Sequence, residues 1–407
     1  MLRNTVSGRP ACYDSFMEFD IVIIGGGLVG ASLAASLKHS GLSLALVESQ
    51  SSLMRENAHD SAEDWDNRIY AISPGSRSFL EGSGAWPLLD SGRISPVEAM
   101  RVFGDSGAEL EFSAYQMGAA ELACIVENRA LQQALWKELR QQENLTLFHP
   151  ARCGSLKFSD AAATLSLEDG RTLSAKLIVG ADGRDSWVRQ QAGIGAEPVD
   201  YQQYAVVANY SCELPHRGIA YQWFQTDGIL ALLPLPGNRV SMVWSVSVEQ
   251  SARLLALSHD ELCSRVADAS LRTLGNLHII TPPAAFPLRL LLLPRISAAR
   301  LALIGDAAHN MHPLAGQGVN TGFRDAHQLA QILLDRGAQN DCGDANLLRR
   351  YERKRKEDIY TMQATTYGLK HLFNNDVPLL RAARNLGLNA ANRIIPLKKL
   401  LMQHAMN

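Results

Sequence analysis

The 407-residue chain lacks most of what marks a metal, disulfide or nucleic-acid protein. Its six cysteines (Cys12, Cys124, Cys153, Cys212, Cys263 and Cys342) are scattered, with no CxxC pair. That excludes a zinc ribbon or a disulfide framework and fits a reducing cytoplasm. There is no charge excess to recruit nucleic acid: 39 basic against 41 acidic residues give a net charge of −2. There is no uninterrupted membrane-length apolar run. The longest candidate, Ile21 to Leu37, is broken after four residues by Gly25, Gly26 and Gly27, and it sits near the lower length limit for a span. Residues 1–16 have no apolar h-region and are not expected to be a secretory signal. They read as a disordered tail, or as an extension upstream of a natural start at Met17. No Ser-His-Asp or paired-carboxylate constellation can be assembled.

What is present is an α/β pattern of ordinary globular composition, long enough for two lobes. Phe19–Ile24 is a β-branched run that reads as a buried strand, followed by a helical period closed at Gly41, and then by a second apolar strand over Ser43–Glu48. This is a βαβ opening with a parallel sheet. Periodicity predicts a short helix after Ile72 and further helices over Asn128–Gln141, Leu257–Leu274 and Gly318–Arg336. Asn128 is the expected cap of the second of these. Asp169–Gly170 marks a hairpin between alternating strands. Tyr201–Val248 is β-rich and aromatic, and reads as an insertion into the α/β framework.

Gly25, Gly27 and Gly30 form GxGxxG between strand and helix, and Glu48 ends the next strand. The first glycine permits the tight turn, the second lets the backbone approach a pyrophosphate, and the third lets helix and strand pack closely. The helix N-terminus offers free N–H groups and partial positive charge to phosphate oxygens. Glu48 would accept hydrogen bonds from ribose hydroxyls. This stretch leaves FAD and NAD both open.

Two later glycine–aspartate segments each follow an apolar strand: "GADGRDSWVR" (180–189) and "GDAAHNMHPLAGQGVNTG" (305–322). Asp306, His309 and His312 invite a metal reading. Their spacing gives neither a two-histidine i, i+4 face nor a complete ligand set, so no metal is expected.

GxGxxG, DG and GD in this order resemble the class A flavoprotein monooxygenases, the single-chain aromatic hydroxylases of the p-hydroxybenzoate hydroxylase type. The likeness runs from about residue 18 over nearly the whole chain. Within that family "DNRIYAISPGS" (66–76), "IVENRALQQAL" (125–135) and "PLKKLLMQHAM" (396–406) resemble the ubiquinone-biosynthesis hydroxylases. The resemblance implies a Rossmann-like FAD-binding domain with an inserted β-sheet-rich substrate domain and a helical C-terminus. The expected division is a tail at 1–17, a discontinuous FAD domain at 18–75, 100–195 and 283–345, a substrate domain at 76–99 and 196–282, and a helical region at 346–407.

The resemblance places Arg68 and Arg129 along the FAD pyrophosphate and ribitol, where guanidinium groups suit anionic oxygens. It places Asp182, with Gly183, against the FAD chain and a passage for the nicotinamide donor, and Asp306 on a ribitol hydroxyl. Gly316, Gly318 and Gly322 have no side chain to block a planar ring, and the helix from Gly318 would aim its N-terminus at the flavin N1–C2 carbonyl region. Pro313 and Asn320 are expected to fix that loop.

The implied activity is an NAD(P)H- and O2-dependent hydroxylation in which O2 adds at flavin C4a and a hydroxyl passes to an electron-rich ring. No second GxGxxG announces a separate NADPH domain, so the donor is expected to dock transiently. The implied substrate is a polyprenylated phenol or benzoquinol. Tyr204, His216, Tyr221 and Trp223 are the candidates for its pocket. A flavin-dependent reductase or oxidase, and a non-redox prenyl-binding module of the same fold, are the rival readings. The basic end, with Lys370, Arg381, Arg384, Arg393, Lys398 and Lys399 against Asp376, could meet an anionic membrane surface, a partner or its own domain. A cytoplasmic protein, peripheral to the inner membrane in the first of these cases, is expected.

Overall fold

The computed structural model describes residues 16–51, 64–104, 108–225, 228–310, 317–337 and 340–373. Its framework is a parallel sheet. Inward from the antiparallel edge strand Ser297–Ala298, Leu301–Leu303, Thr172–Gly180, Phe16–Ile24, Leu44–Val47 and Leu145–Phe148 lie side by side, parallel to one another. Ile21, Val22 and Ile23 are wholly buried, as are Leu44, Ala45 and Leu46. A strand covered on both faces needs such an unbroken apolar run, and each fully buried Val, Leu or Ile contributes about 1.5–3 kcal/mol. The predicted hairpin is present: Ala163–Leu167 pairs antiparallel with the extended strand Thr172–Gly180.

The second sheet runs Leu277–Ile279, Glu197–Cys212, Arg239–Ser247, Gly228–Leu235, Ile219–Gln225, Ala99–Phe103 and Glu109–Ser113, with Ala284–Leu292 paired to the long strand Glu197–Cys212. A small third sheet, Ile69–Ile72, Ala123–Glu127 and Ser95–Val97, stands between the two.

These sheets divide the chain differently from the expected boundaries. Residues 99–113 belong to the second sheet, as does the strand ending at Leu292, rather than to the nucleotide framework. Leu80, Ala85 and Trp86 pack into the framework core instead of the inserted domain. The signal missed was long-range strand pairing, to which local periodicity is blind.

Two helix expectations need correction, and a third is met. Within Leu257–Leu274 the helix is only His259–Ala269, started by a capping box of Ser258 and Glu261, and a separate helix, Val248–Ala256, precedes the expected span. Asn128 is the first helical residue, not the cap; Glu127 holds the cap position and its side chain makes no capping bond. The short helix after Ile72 spans Pro74–Gly82, with Ser73 accepting from the Ser76 N–H and proline at its first position.

Candidate functional site

The first two glycine motifs touch through backbone. Gly25 has φ +106°, and a Cβ there would meet the Ala181 carbonyl oxygen at 2.3 Å. Ala181 donates its N–H to the Ile24 carbonyl at 2.8 Å, which draws the DG turn onto the end of the opening strand. Gly30 is equally constrained: a Cβ would meet the Gly25 carbonyl oxygen at 2.0 Å. Gly27 differs. It caps the helix Leu28–Ser36, no side chain caps that helix, and a Cβ at Gly27 would meet nothing within 4 Å. The helix N-terminus is thus left open to an anion.

The third motif joins through Val29 of the same helix. A Cβ on Gly305 (φ +60°) would come within 3.2 Å of Val29, and one on Gly322 within 2.5 Å. The long helix Gln317–Leu334 therefore begins beside the helix Leu28–Ser36, and Gly318 also faces open space.

Glu48 is buried, and its carboxylate accepts the Gly26 N–H and the Gln50 N–H, each at 2.7 Å. The Gly26 carbonyl in turn accepts from Gln132 Nε2 at 2.6 Å and Trp136 Nε1 at 2.9 Å. These two side chains shape the first glycine turn from the helix Asn128–Leu139. Asp182 is turned inward to its own loop, accepting from the Ser186 hydroxyl at 2.6 Å and the Val188 N–H at 3.0 Å. Burial pushes its pKa up, against these bonds. Gly183 has φ +84°, with open space in its Cβ direction.

Asp306 is exposed. Desolvation by the surrounding protein pushes its pKa up, while His309, Arg68 and Arg184 pull it down. Water reaching the carboxylate weakens the upward push, because a solvated charge is penalised less. Arg68 is also exposed, and its guanidinium makes no hydrogen bond among the described residues. Tyr70 lies within the field of both Arg68 and Asp306; desolvation pushes its hydroxyl up and Arg68 opposes this. Arg129 pairs with Asp64 at 3.0 Å, but its Nε is buried and has no partner among the described residues. Asn320 is buried, donating to the Ala71 carbonyl at 2.8 Å and accepting from the Ser73 N–H at 3.0 Å. It fastens the long helix to the segment after Arg68. Pro313, Gly316 and His312 lie outside the described residues.

Sequence reasoning missed a buried ionic cluster beneath the GD turn. Asp325, on the long helix, accepts from the Gly305 N–H at 2.9 Å, contacts His309 Nε2 at 2.6 Å and pairs with Arg355 Nε at 2.6 Å. Burial alone would raise the Asp325 pKa; His309 and Arg355 outweigh it and hold the carboxyl below its ordinary value. His309 is thus committed to the fold, and no group of residues among those described could hold a metal. Burial pushes the Cys124, Cys153 and Cys342 thiols up to about 12, so none offers a thiolate.

Three of the four aromatic and histidine pocket candidates share one face of the second sheet, and His216 stands apart in a turn. Strand alternation puts Tyr221 and Trp223 on the face of the second sheet that buries Val206, Trp244 and Leu230 in the substrate-side core. There Trp223 stacks between Phe103 and Tyr221, with centroids 5.6 Å and 5.7 Å away. Tyr204 shares that parity on its strand, pairing with Val246. His216 is locked in a turn: Nδ1 accepts the Gly218 N–H at 3.1 Å, and Nε2 faces the Leu235 and Gly237 carbonyls at 2.9 Å and 2.7 Å. Neither ring nitrogen is left for a substrate. The opposite face carries Ala220, Leu233 and Leu235 toward the small third sheet, with the partly open Ala231 and Val243 in the neighbouring rows.

The FAD-binding domain family model matches residues 18–365. The chain belongs to this FAD-binding family. Ubiquinone hydroxylase UbiL of Rhodospirillum rubrum is 39% identical over 394 residues, covering 95% of this chain and 89% of the relative. The 3-demethoxyubiquinol 3-hydroxylase of Escherichia coli is 36% identical over 391 residues, covering 95% and 98%. Among solved folds, Pseudomonas aeruginosa PqsL in complex with 2-aminobenzoylacetate superposes with a TM-score of 0.76 at 22% identity, covering 91% of this chain and all of that one. The flavoprotein fits its cofactor on its own geometry. A helix N-terminus has no side-chain cap, Gly27, Gly183 and Gly318 face open space, and the buried Arg129 Nε is unpartnered among the described residues. The α/β fold with an inserted sheet is thus that of the FAD monooxygenases. Among the described residues no helix is long and apolar enough to cross a membrane.

Proposed function

We propose that this flavoprotein hydroxylates the aromatic ring of a polyprenylated phenol or benzoquinol on the route to ubiquinone, with NAD(P)H as transient donor and O2 as co-substrate. The observation that carries the reading is the convergence of three glycine turns beside an open helix N-terminus, in a chain 36–39% identical to ubiquinone-ring hydroxylases. Bound FAD supplies the redox chemistry, taking electrons from the donor and passing one oxygen atom to the ring.

The chain's own residues bind, orient and dry. The N-terminus of Leu28–Ser36 faces the pyrophosphate, and Arg68 and Arg129 add cationic charge beside it. Glu48, held by two N–H groups, keeps lone pairs for ribose hydroxyls. Asp306 accepts from the ribitol chain. Asp182 acts chiefly by holding the DG loop in shape. The N-terminus of Gln317–Leu334 stabilises negative charge on the reduced ring. Ala231, Leu233 and Val243 present an apolar face that excludes water and seats a lipid-tailed ring. The bare basic surface of the terminal helix, with exposed Arg349, Arg350, Arg353 and Lys354, favours approach to an anionic bilayer holding such a substrate. The segment around Lys398–Lys399 lies outside the described residues.

Mass spectrometry of quinone intermediates in a strain lacking this protein tests the reading. A precursor short of one ring oxygen is the expected accumulant, and an unchanged quinone profile would overturn it.

A further inference from the structure

The loop 64–68 ends at Arg68, whose guanidinium makes no hydrogen bond among the described residues, so its place is set by the loop's backbone. The framework holds this loop on one side. Glu127, 1% exposed, accepts the Asp66 N–H at 2.7 Å and pairs with Arg93 at 2.7 Å. The Asp66 carboxylate accepts the Arg68 N–H at 2.9 Å and the Arg129 N–H at 3.0 Å.

A second hold comes from the inserted sheet. Asn209 Nδ2 donates to the Asp66 carbonyl at 2.9 Å, across 143 residues of chain. The Thr281 hydroxyl accepts the Asn209 N–H at 2.8 Å and donates to Asn67 Oδ1. Asn67 Nδ2 donates to the Pro282 carbonyl at 2.7 Å. Asn209 is wholly buried, and its Oδ1 has no partner among the described residues. An apolar residue would fill that position without the cost of an unsatisfied acceptor, so packing alone does not account for the amide.

We infer that Thr281, with Asn209 and Asn67, is a positioning residue: it ties the loop of Arg68 to the substrate sheet and thereby sets Arg68 against the cofactor. The inference rests on the placement of Arg68 at FAD proposed above. Neither side chain of the sheet touches the cofactor in this account; both act through the loop.

The test is a double-mutant cycle on the full-length holoenzyme. FAD dissociation on dilution is read from recovered flavin fluorescence, with melting temperature alongside. Thr281→Val keeps the shape and removes the hydroxyl; Thr281→Ser keeps the hydroxyl. Thr281→Val is expected to weaken FAD binding by about fivefold, the equivalent of one hydrogen bond of ordinary strength. Thr281→Ser is expected to restore it. In an Arg68→Met background, itself weakened, Thr281→Val is expected to add nothing. Asn67→Ala, at a half-buried loop position, breaks the same link from the other side and is expected to match Thr281→Val even where the latter folds poorly. An unchanged dissociation constant in both link variants overturns the inference, as does an equal further loss in the Arg68→Met background, which marks a general structural effect. An unchanged constant in Arg68→Met itself removes the reading of Arg68, and this inference with it.

Discussion

Single residues in the glycine turns divide into those the fold needs and those the ligand needs, and the two are separable by experiment. A Cβ on Gly25 would lie 2.3 Å from a carbonyl oxygen at φ +106°, whereas one on Gly27 would meet nothing within 4 Å. Gly25→Ala should therefore destabilise the protein itself. Gly27→Val should leave the melting temperature of the flavin-free protein nearly unchanged and abolish flavin uptake. A yellow Gly27→Val holoprotein would remove the pyrophosphate from this turn. The ionic cluster under the GD turn gives a second residue-scale prediction. Asp325→Asn removes the buried carboxylate facing His309 and Arg355 and leaves Arg355 only Asp358, at 2.7 Å, which should cost about 1–3 kcal/mol in chemical denaturation. The Asp325 carboxyl is held below its unfolded value of about 3.9. Its stabilisation is therefore present above that pH and lost as pH falls through the lower folded value. Wild-type stability should drop more steeply than that of Asp325→Asn over this acidic range.

Among the elements, the inserted sheet is where sequence and structure part. The strands over Tyr201–Val248 were legible from their β-rich, aromatic composition. Which face meets the cofactor was not, because alternation gives two faces and no label. Tyr210, Tyr221, Trp223 and Trp244 point to the face under the helices Val248–Ala256 and His259–Ala269, where they build a core. The face toward the framework carries smaller groups. Tyr221→Phe should accordingly leave turnover within about twofold of wild type, since only a buried hydroxyl is lost. Ala231→Phe, from the opposite face, should raise KM sharply or abolish hydroxylation with flavin content intact. The reverse pattern would return the pocket to the aromatic face. The glycine motifs were legible because each needs a local backbone feature. Asp325, Arg355, Gln132 and Trp136 were not, because their roles arise only when distant helices meet.

At the scale of the whole molecule, two sheets with separate cores are joined by the small third sheet and by the loop that carries Arg68. On the function proposed, one body would bind the cofactor and the other would present an apolar face to a lipid-tailed ring. The sequence order of the three motifs made the first body readable. The reach of the second, from Ala99 to Leu292 with interruptions, depended on pairings such as Ala99–Ile219 and Glu197–Leu292 that no local signal announces. Turnover of a prenylated phenol under heavy-isotope O2 decides whether this holoenzyme inserts oxygen. One heavy oxygen is expected in each ring product, formed in step with NAD(P)H consumption. NAD(P)H consumption with an unlabelled ring would contradict it.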